Sequence, residues 1–292
     1  MAFFVDKLVV IGVGLIGGSF ALALKQAGVV RRVVGIGRQP GNIARALELN
    51  VIDEAGSLDE PTLRDARLVM LAMPVGQMLP VMRAISPLLA DGSVVSDAGS
   101  TKQDVVRYAR GAFGDAIGQF VPGHPIAGTE NSGAAAAFAD LYRERKVVLT
   151  PVPENSADTV GFMEAAWAAC GAQLHLMHPE EHDSIFATVS HLPHLLAYAL
   201  VDQVAAQSNA DQLFSYAAGG FRDFTRIASS HPEMWRDICI ANRAALSSEL
   251  DLYRRKLAEL QAMLARADAA KLEGVFSRAR EAREKWLKGG AK

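Results

Sequence analysis

The stretch LVVIGVGLIGG, residues 8–18, decides the fold of this 292-residue chain. The run Leu8–Ile11 is short, apolar and rich in β-branched residues, which is typical of a buried strand. Three glycines follow it at Gly-x-Gly-x-x-Gly spacing, and Ile16–Gln26 then shows apolar residues at three- and four-residue intervals. Strand, glycine turn and helix in this order predict the first βα unit of a dinucleotide-binding domain.

Each position of the glycine turn has a physical role in such a domain. Gly12 permits the tight turn, Gly14 lets backbone amides approach a pyrophosphate, and Gly17 allows the helix to pack closely on the strand. Leu15 and Ile16 begin the helix, whose N-terminus attracts phosphate through its partial positive charge. The same glycines could form a turn that holds no ligand, but the flanking strand and helix favour a cofactor site.

The end of the second predicted strand bears on the choice between NAD and NADP. Enzymes that use NAD place Asp or Glu about 20 residues after the last glycine, where the carboxylate binds the ribose 2′-hydroxyl. This chain has Gly37 there, followed by Arg38. A missing carboxylate removes repulsion from a 2′-phosphate, and a guanidinium can pair with that phosphate. We therefore expect a preference for NADP, with NAD as an alternative, although Arg38 could instead stack on the adenine or face solvent.

Strands and helices alternate through the first half of the chain, as βαβ units around a parallel sheet require. The predicted strands are Leu8–Ile11, Arg32–Ile36, Leu68–Ala72, Ser93–Ser96, Phe120–Pro122, Lys146–Thr150 and Gln173–Met177. From Glu180 onward no β-rich run occurs, and segments rich in Ala, Leu, Glu, Lys and Arg indicate helices. The fold class is therefore α/β, with a Rossmann-type domain over residues 1–177 and an all-helical domain over residues 178–292.

Composition narrows the class of protein. Hydrophobic residues make up 50% of the chain and the formal net charge is -2, so a globular protein is expected and a nucleic-acid partner is not. The two cysteines show no metal-binding or disulfide pattern, which favours reduced thiols in the cytoplasm and no metal site. We expect no membrane segment.

The long helical pattern Glu233–Ala265 indicates burial against a neighbouring helix or a partner subunit, and a homodimer is our hypothesis.

Two polar clusters follow predicted strands, where parallel sheets place functional groups. Residues 96–102 include Ser100, which could cap the next helix, hydrogen-bond a reacting group, or do both. Residues 123–133 form a glycine-rich turn that contains His124. A loop histidine is more often structural, but at a strand end beside a cofactor it is a candidate general base.

A third set of polar residues lies in the helical half, in segments 181–183, 190–194 and 219–226. Dense polar residues between apolar stretches indicate a helix surface that faces a cleft, and an arginine there suits a carboxylate ligand. Asp223 and Arg226, three residues apart, could instead pair only with each other.

Four motifs in order, Gly12–Ser19, Gly123–Thr129, Ser190–His194 and Gly219–Ile227, resemble the prephenate/arogenate dehydrogenase family. The resemblance implies that His124 removes the proton of the substrate's 4-hydroxyl with help from Ser100, and that Arg226 binds a substrate carboxylate. It places further substrate-binding residues at Thr129, Glu130, His191, His194, Gly219, Asp223 and Trp235. Two departures stand out: Gly37 replaces an acidic residue, and Ala218 stands where a third glycine is common.

The resemblance implies NAD(P)-dependent oxidative decarboxylation of prephenate to 4-hydroxyphenylpyruvate, or of arogenate to tyrosine, in tyrosine biosynthesis. Two alternatives remain at this stage. A 3-hydroxyacid dehydrogenase of similar domain plan would rely on a catalytic lysine or a His–Glu pair, and a non-catalytic dinucleotide-binding regulator would not need His124, Ser100 and Arg226 together. The choice between prephenate and arogenate stays open.

Overall fold

The structure is a computed structural model that describes residues 3–129 and 131–290. It consists of two compact units, one that ends at Arg243 and one that begins at Ala244. The first unit contains both sheets together with the helices up to residue 241. The domain boundary expected between residues 177 and 178 stays a prediction.

A six-stranded parallel sheet organises the first unit. Its strands lie in the order β3-β2-β1-β4-β5-β6. Their bounds are β1 Val5–Ile11, β2 Val30–Ile36, β3 Glu54–Ala55, β4 Leu68–Leu71, β5 Val94–Asp97 and β6 Phe120–Val121. The strand order reverses between β1 and β4, and in such sheets ligands bind at the carboxyl ends of the strands beside that point.

A second sheet of three strands follows, with β7 Gly123–Pro125, β8 Lys146–Leu149 and β9 Gln173–Leu176. β7 runs antiparallel to β8, and β8 runs parallel to β9. The prediction of strands at 146–150 and 173–177 is confirmed within one residue, but they belong to this separate sheet. β7 was not predicted as a strand, because a Gly-His-Pro tripeptide has the composition of a turn.

The first unit also contains a series of helices. They are α1 Leu15–Gln26, α2 Pro40–Glu48, α3 Glu60–Leu63, α4 Met78–Ile85, α5 Gln103–Phe113, α6 Ala157–Ala169, α7 Pro179–Phe186, α8 Leu192–Ala205, α9 Ala210–Ser215, α10 Gly219–Thr225 and α11 Pro232–Ala241. One apolar core includes Phe20 of α1 and Trp167 of α6, and a second includes Met82 of α4 and Ala109 of α5. The six-stranded sheet is therefore packed on both faces, as a Rossmann-type domain requires.

The second unit consists of two long helices, α12 Arg243–Ala265 and α13 Ala269–Gly290. The first residue of α12, Arg243, still belongs to the first unit. Both helices carry large apolar side chains that are exposed: Leu252, Leu257, Leu264, Phe276, Trp286 and Leu287.

The structure divides one long helical pattern into two helices. The sequence predicts a weakly interrupted helical pattern over Glu233–Ala265, and the structure has α11 and α12 with Asn242 between them. Asn242 is buried, and its side-chain amide donates to the carbonyl of Asp183 at 2.8 Å. The helix is thus interrupted at Asn242, whose side chain makes this tertiary hydrogen bond.

Helices α7 and α8 are joined by a π-helical turn, Ala187–His191, and form one continuous segment. Among the described residues, this segment, Pro179–Ala205, is the one long and apolar enough to cross a membrane by length and composition alone. It carries buried His182 and Asp183, and Asp183 bonds to the backbone of α5. π-turns inside helices occur often at functional sites, and this one ends on His191.

Candidate active site

The glycine turn leaves a cradle at the start of α1. Gly12 has φ +102°, and a Cβ there would lie 2.4 Å from the carbonyl oxygen of Ala72. A Cβ on Gly17 would lie 2.4 Å from the carbonyl oxygen of Gly12, so neither position admits a side chain. At Gly14 a Cβ would meet nothing within 4 Å, and no side chain caps the helix. The open helix N-terminus, with Leu15 and Ile16 in its first turn, fits the pyrophosphate of a dinucleotide.

The end of β2 is held toward the loop after β4. Gly37 and Arg38 directly follow β2, and both are exposed. With the amide of Gln77 turned so that its oxygen faces Arg38, that oxygen accepts from both terminal guanidinium nitrogens at 3.0 Å. Arg38 is therefore oriented across the carboxyl edge of the sheet rather than away from it.

His124 lies on β7 and is 9% exposed. Its Nδ1 lies 2.8 Å from Nε2 of His182, and Nδ1 of His182 lies 2.8 Å from Oδ1 of Asp183. The Asp183 carboxylate also accepts from the backbone N–H groups of Lys102, at 2.7 Å, and Gln103, at 3.0 Å. A buried carboxylate, two imidazoles and the N-terminus of α5 thus form one hydrogen-bonded chain.

Burial determines the protonation states of His124, His182 and Asp183. It lowers the pKa of His124 well below its ordinary value of 6.5, and a positive charge on His182, Lys102 or His191 would act in the same direction. Burial also lowers the pKa of His182, although the hydrogen bond to Asp183 opposes that effect. Burial acts to raise the pKa of Asp183, but the bonds from His182 and the α5 backbone outweigh it and hold that pKa below its usual range. Near neutral pH, His124 is therefore an uncharged imidazole that can accept a proton.

A buried ion pair holds the backbone next to His124. Nζ of Lys102 lies 2.5 Å from Oδ2 of Asp97 and donates to the carbonyl of Gly123 at 2.5 Å. The other carboxylate oxygen of Asp97 accepts from the N–H of Gly123 at 3.1 Å. Lys102 and Asp97 are both 0% exposed. Both backbone groups of Gly123 are thereby fixed, the N–H to the end of β5 and the carbonyl to the residue before α5.

Ser100 does not cap α5. The N-cap residue of α5 is Lys102, and the Asp183 carboxylate satisfies the first amides instead. The Ser100 carbonyl faces the ring of His191 and acts to raise the pKa of that histidine, but burial dominates and lowers it to about 4. The capping alternative is therefore wrong, and a role for the Ser100 hydroxyl in the reaction stays a prediction.

The predicted residues His191, His194 and Trp235 come together. Nδ1 of His191 lies 3.0 Å from the amide nitrogen of Asn242, and Nδ1 of His194 lies 2.8 Å from the carbonyl oxygen of Ser190. The rings of His194 and Trp235 stack at 3.6 Å between centroids, and the His191 ring meets Trp235 edge-on at 6.1 Å. Nε1 of Trp235 is buried and has no partner among the described residues.

Arg226 follows α10 directly, is exposed and lies close enough to His194 for its charge to affect the pKa of that histidine. Burial is the main cause that lowers this pKa, and the charge of Arg226 adds to it. Among the described residues, no carboxylate lies within salt-bridge distance of Arg226. The alternative, a salt bridge between Asp223 and Arg226, is therefore not observed. Gly219, Asp223 and Thr129 are exposed. The predicted residue Glu130 lies outside the described residues.

Several residues of the site had no predicted role. His182 and Asp183 belong to one polar cluster, Asp97 and Lys102 belong to the polar cluster at residues 96–102, and Asn242 belongs to none of the predicted clusters. A histidine and an aspartate side by side before an uncharged run are unusual, because burying them requires hydrogen-bond partners. That signal could have identified His182 and Asp183, but the pairing with residues far away in sequence could not be predicted.

Within the described residues, no group of three or more His, Cys, Asp or Glu side chains could hold a metal ion. Cys170 and Cys239 are both free thiols.

Family models cover nearly the whole chain. Residues 20–176 match the model described as prephenate dehydrogenase, nucleotide-binding domain, and residues 178–278 match prephenate dehydrogenase, dimerization domain. The chain is 36% identical to the prephenate dehydrogenase of Bacillus subtilis, over 96% of this chain and 76% of the relative. It is 35% identical to the cyclohexadienyl dehydrogenase of Zymomonas mobilis, over 94% of each.

Solved structures agree with these matches. Prephenate dehydrogenase from Aquifex aeolicus, in complex with hydroxyphenyl propionate and NAD+, superposes with a TM-score of 0.90 at 34% identity, and covers 96% of this chain and 98% of its own. Synechocystis arogenate dehydrogenase superposes with a TM-score of 0.79 at 29% identity, over 96% of this chain and 99% of its own. With its Rossmann-type sheet, its helical C-terminal part and its nucleotide-binding turn, the chain belongs to the prephenate dehydrogenase family of nicotinamide-dependent oxidoreductases.

Proposed function

We propose that the protein catalyses the oxidative decarboxylation of prephenate to 4-hydroxyphenylpyruvate, or of arogenate to tyrosine, in tyrosine biosynthesis. The single observation that supports this most is His124, a buried and uncharged imidazole on β7, fixed by hydrogen bonds in the same unit as the glycine turn. Such a group is suited to remove a hydroxyl proton while a hydride leaves the same carbon.

Prephenate is a dihydro ring that bears a 4-hydroxyl, a ring carboxylate and a pyruvyl side chain. The bound nicotinamide supplies the hydride acceptor. His124 takes the hydroxyl proton, so the O–H bonding pair forms a C=O bond as C4 loses its hydride. When carbon dioxide leaves, the C–C bonding pair enters the ring, the ring becomes aromatic, and His124 returns the proton to the phenolic oxygen. The sum is prephenate and NAD(P)+ giving 4-hydroxyphenylpyruvate, carbon dioxide and NAD(P)H.

The other predicted residues orient the substrate in this proposal. Ser100 hydrogen-bonds the reacting hydroxyl beside His124, and Arg226 pairs with a substrate carboxylate. The exposure of Arg226 and its place close to His194 support that role, because an exposed guanidinium beside the site can pair with an anion. Thr129, Glu130, His191, His194, Gly219, Asp223 and Trp235 line the substrate site in the same proposal.

NADP is the preferred cofactor in this proposal. Gly37 brings no negative charge to the end of β2, and Arg38 can pair with a 2′-phosphate. The contact between Arg38 and Gln77 supports the idea, since it keeps the guanidinium at the carboxyl edge of the sheet. The solved relative with NAD+ bound keeps NAD as the alternative.

The active form in our proposal is a cytoplasmic homodimer. The family model for residues 178–278 is described as a dimerization domain, and the apolar side chains exposed along α12 and α13 are the type that a partner helix would cover.

Turnover of prephenate and of arogenate, each with NADP and with NAD, tests the proposal. We expect reduced nicotinamide, carbon dioxide and 4-hydroxyphenylpyruvate or tyrosine to form in equal amounts. Cofactor binding without turnover of either substrate would favour the regulator. Oxidation of a 3-hydroxyacid in place of both would favour the other dehydrogenase class.

A further inference from the structure

We propose that Asp183 and His182 are positioning residues that fix His124 in the one tautomer able to accept the substrate proton at Nε2. The two residues touch neither substrate nor cofactor in this account and act through His124. The inference rests on the proposed function, because it takes His124 as the group that receives the proton.

Two backbone N–H groups determine the charge of Asp183. Its Oδ1 lies 2.7 Å from the amide of Lys102 and its Oδ2 lies 3.0 Å from the amide of Gln103, and both groups are obligatory donors. These amides belong to the start of α5, whose partial positive charge favours an anion. A carboxylate that receives two backbone N–H bonds there is ionised, and an ionised carboxylate can only accept hydrogen bonds.

That restriction determines the next two bonds. Because Asp183 can only accept, Nδ1 of His182 must donate to it across their 2.8 Å contact. A neutral His182 with its proton on Nδ1 has a lone pair on Nε2. Nε2 of His182 therefore accepts from Nδ1 of His124, also at 2.8 Å. A neutral His124 with its proton on Nδ1 then has its lone pair on Nε2, the nitrogen that remains for the substrate.

Packing removes the alternative orientations of both rings. His182 is 0% exposed, and Phe186 of α7 lies against His182 at 4.5 Å and against His124 at 4.8 Å between ring centroids. The backbone before His124 is fixed by the Lys102–Asp97 pair described above. The imidazole of His124 therefore has a defined position as well as a defined tautomer.

The charged and titratable groups around His124 are His182 from α7, Lys102 from the start of α5, and His191 from the π-turn, and each disfavours a protonated His124 when it carries a positive charge itself. Asp183, and Asp97 behind Lys102, are the negative groups whose charge acts on His182. When His124 takes a proton at Nε2, its Nδ1–H bond to His182 becomes charge-assisted, and His182 passes that polarisation on to Asp183. The pair thus stabilises the imidazolium form that the reaction requires.

Asp183→Asn tests the inference directly. An amide in place of Oδ2 would meet the donor of Gln103, so the side chain turns or donates to His182, and the tautomer preference of both imidazoles is lost. We expect kcat to fall by about 10²–10⁴-fold while the dissociation constant of the cofactor changes by less than about twofold. The nitrogen chemical shifts of His124, assigned with the His124→Asn variant, should change from the Nδ1–H to the Nε2–H tautomer.

A second pair of variants covers the case in which Asp183→Asn does not fold. In His182→Gln the side-chain oxygen can still accept from Nδ1 of His124, whereas in His182→Leu nothing accepts. We expect kcat to decrease in the order wild type, Gln, Leu, with the Leu variant lowest by about 10²-fold or more. Glu181→Gln, the same chemical change as Asp183→Asn at an exposed neighbouring position, is the matched control and should keep wild-type kcat.

The outcomes separate the two proposals. If the wild type turns over neither prephenate nor arogenate, the proposed function fails. The positioning role is tested only by comparison with an active wild type and an inactive His124→Asn. In that case, a His182→Leu variant that keeps kcat within about threefold would show that the positioning role is wrong and that His124 acts alone. A soluble, folded Asp183→Asn variant that keeps both kcat and the His124 tautomer would show the same.

Discussion

Gly37 is the residue at which this chain departs most clearly from an enzyme that uses NAD. A Cβ at Gly37 would lie 2.9 Å from Cδ1 of Ile43, the flexible end of a side chain that can move aside. In Gly37→Asp we therefore expect a folded protein whose new carboxylate binds the 2′-hydroxyl of NAD and repels the phosphate of NADP. The ratio of kcat/KM for NADP over NAD should fall by about tenfold or more.

Gly37→Asn is the matched control, since it has the same shape without the charge and should change the ratio less. Both cofactors must be compared at one salt concentration, because ions screen the phosphate interaction. A wild type that already prefers NAD by about tenfold, equal to 1.4 kcal/mol, would contradict the role given to Arg38.

Arg226 carries the second prediction at this scale. If its guanidinium binds a substrate carboxylate, Arg226→Ala should raise the KM for substrate by about 10- to 100-fold, because a charge-assisted hydrogen bond is lost. The KM for the cofactor should stay unchanged. Arg64→Ala removes another exposed arginine, directly after α3, and serves as the control for net charge. An unchanged substrate KM together with a lower melting temperature would make Arg226 a structural residue.

At the residue scale, the sequence was most informative where local chemistry decides the position. Gly12 and Gly17 were predictable because a side chain at either would collide with the backbone. Candidate roles for His124 and Arg226 came from the motifs of the family. The hydrogen bonds that the backbone at the start of α5 donates to Asp183 were not predictable, since they join residues about 80 positions apart.

At the scale of elements, the residue between α11 and α12, Asn242, is hydrogen-bonded to residues of the site. The side-chain nitrogen of Asn242 lies 2.8 Å from the carbonyl of Asp183 and 3.0 Å from Nδ1 of His191. In Asn242→Ala both partners lose their donor inside the protein, although alanine favours a continuous helix. We expect the free energy of unfolding to fall by about 1–3 kcal/mol, measured by urea denaturation.

Asn209→Ala, at an exposed position before α9 where no side-chain cap bond forms, is the control and should have little effect. Equal stability of Asn242→Ala and the wild type would show that the break does not depend on these hydrogen bonds.

Elements with a strong local pattern were predicted well, and the exceptions share a cause. Strands β1, β2 and β4 have apolar runs that are mostly buried, so their C-terminal bounds were predicted within one residue, whereas β1 and β2 begin earlier than predicted. β7 was missed because its strand conformation depends on pairing with β8, and the position of the helix break was not predicted because it depends on Asp183 and His191. Tertiary contacts decided both, and a window of local sequence does not contain them.

At the scale of the whole molecule, buried histidines should make stability depend on pH. Burial lowers the pKa of His191 to about 4 from an ordinary 6.5, and it lowers the pKa of His124 and His182 as well. The unfolded chain then binds more protons than the folded one between about pH 6.5 and 4. Stability is full above pH 6.5 and is lost as the pH falls through this range.

From His191 alone, we expect the free energy of unfolding to drop by about 1.4 kcal/mol between about pH 7.5 and 5.5, with further loss from the other two histidines. Urea denaturation at both pH values measures it. His191→Gln, whose oxygen can still accept from Asn242, should reduce the drop by that amount, while His178→Gln at an exposed position should not. A pH dependence unaffected by His191→Gln would mean that His191 is not neutral and buried.

The most direct test of the whole account is the turnover of prephenate and arogenate by His124→Asn beside the wild type, with cofactor binding measured on the same samples. We predict that the wild type is active and that kcat of the variant is lower by about 10²–10⁴-fold, because the buried proton acceptor is gone. The variant should bind the cofactor normally, because the glycine turn is intact. A variant with near-normal kcat would remove His124 from the chemistry and contradict the account.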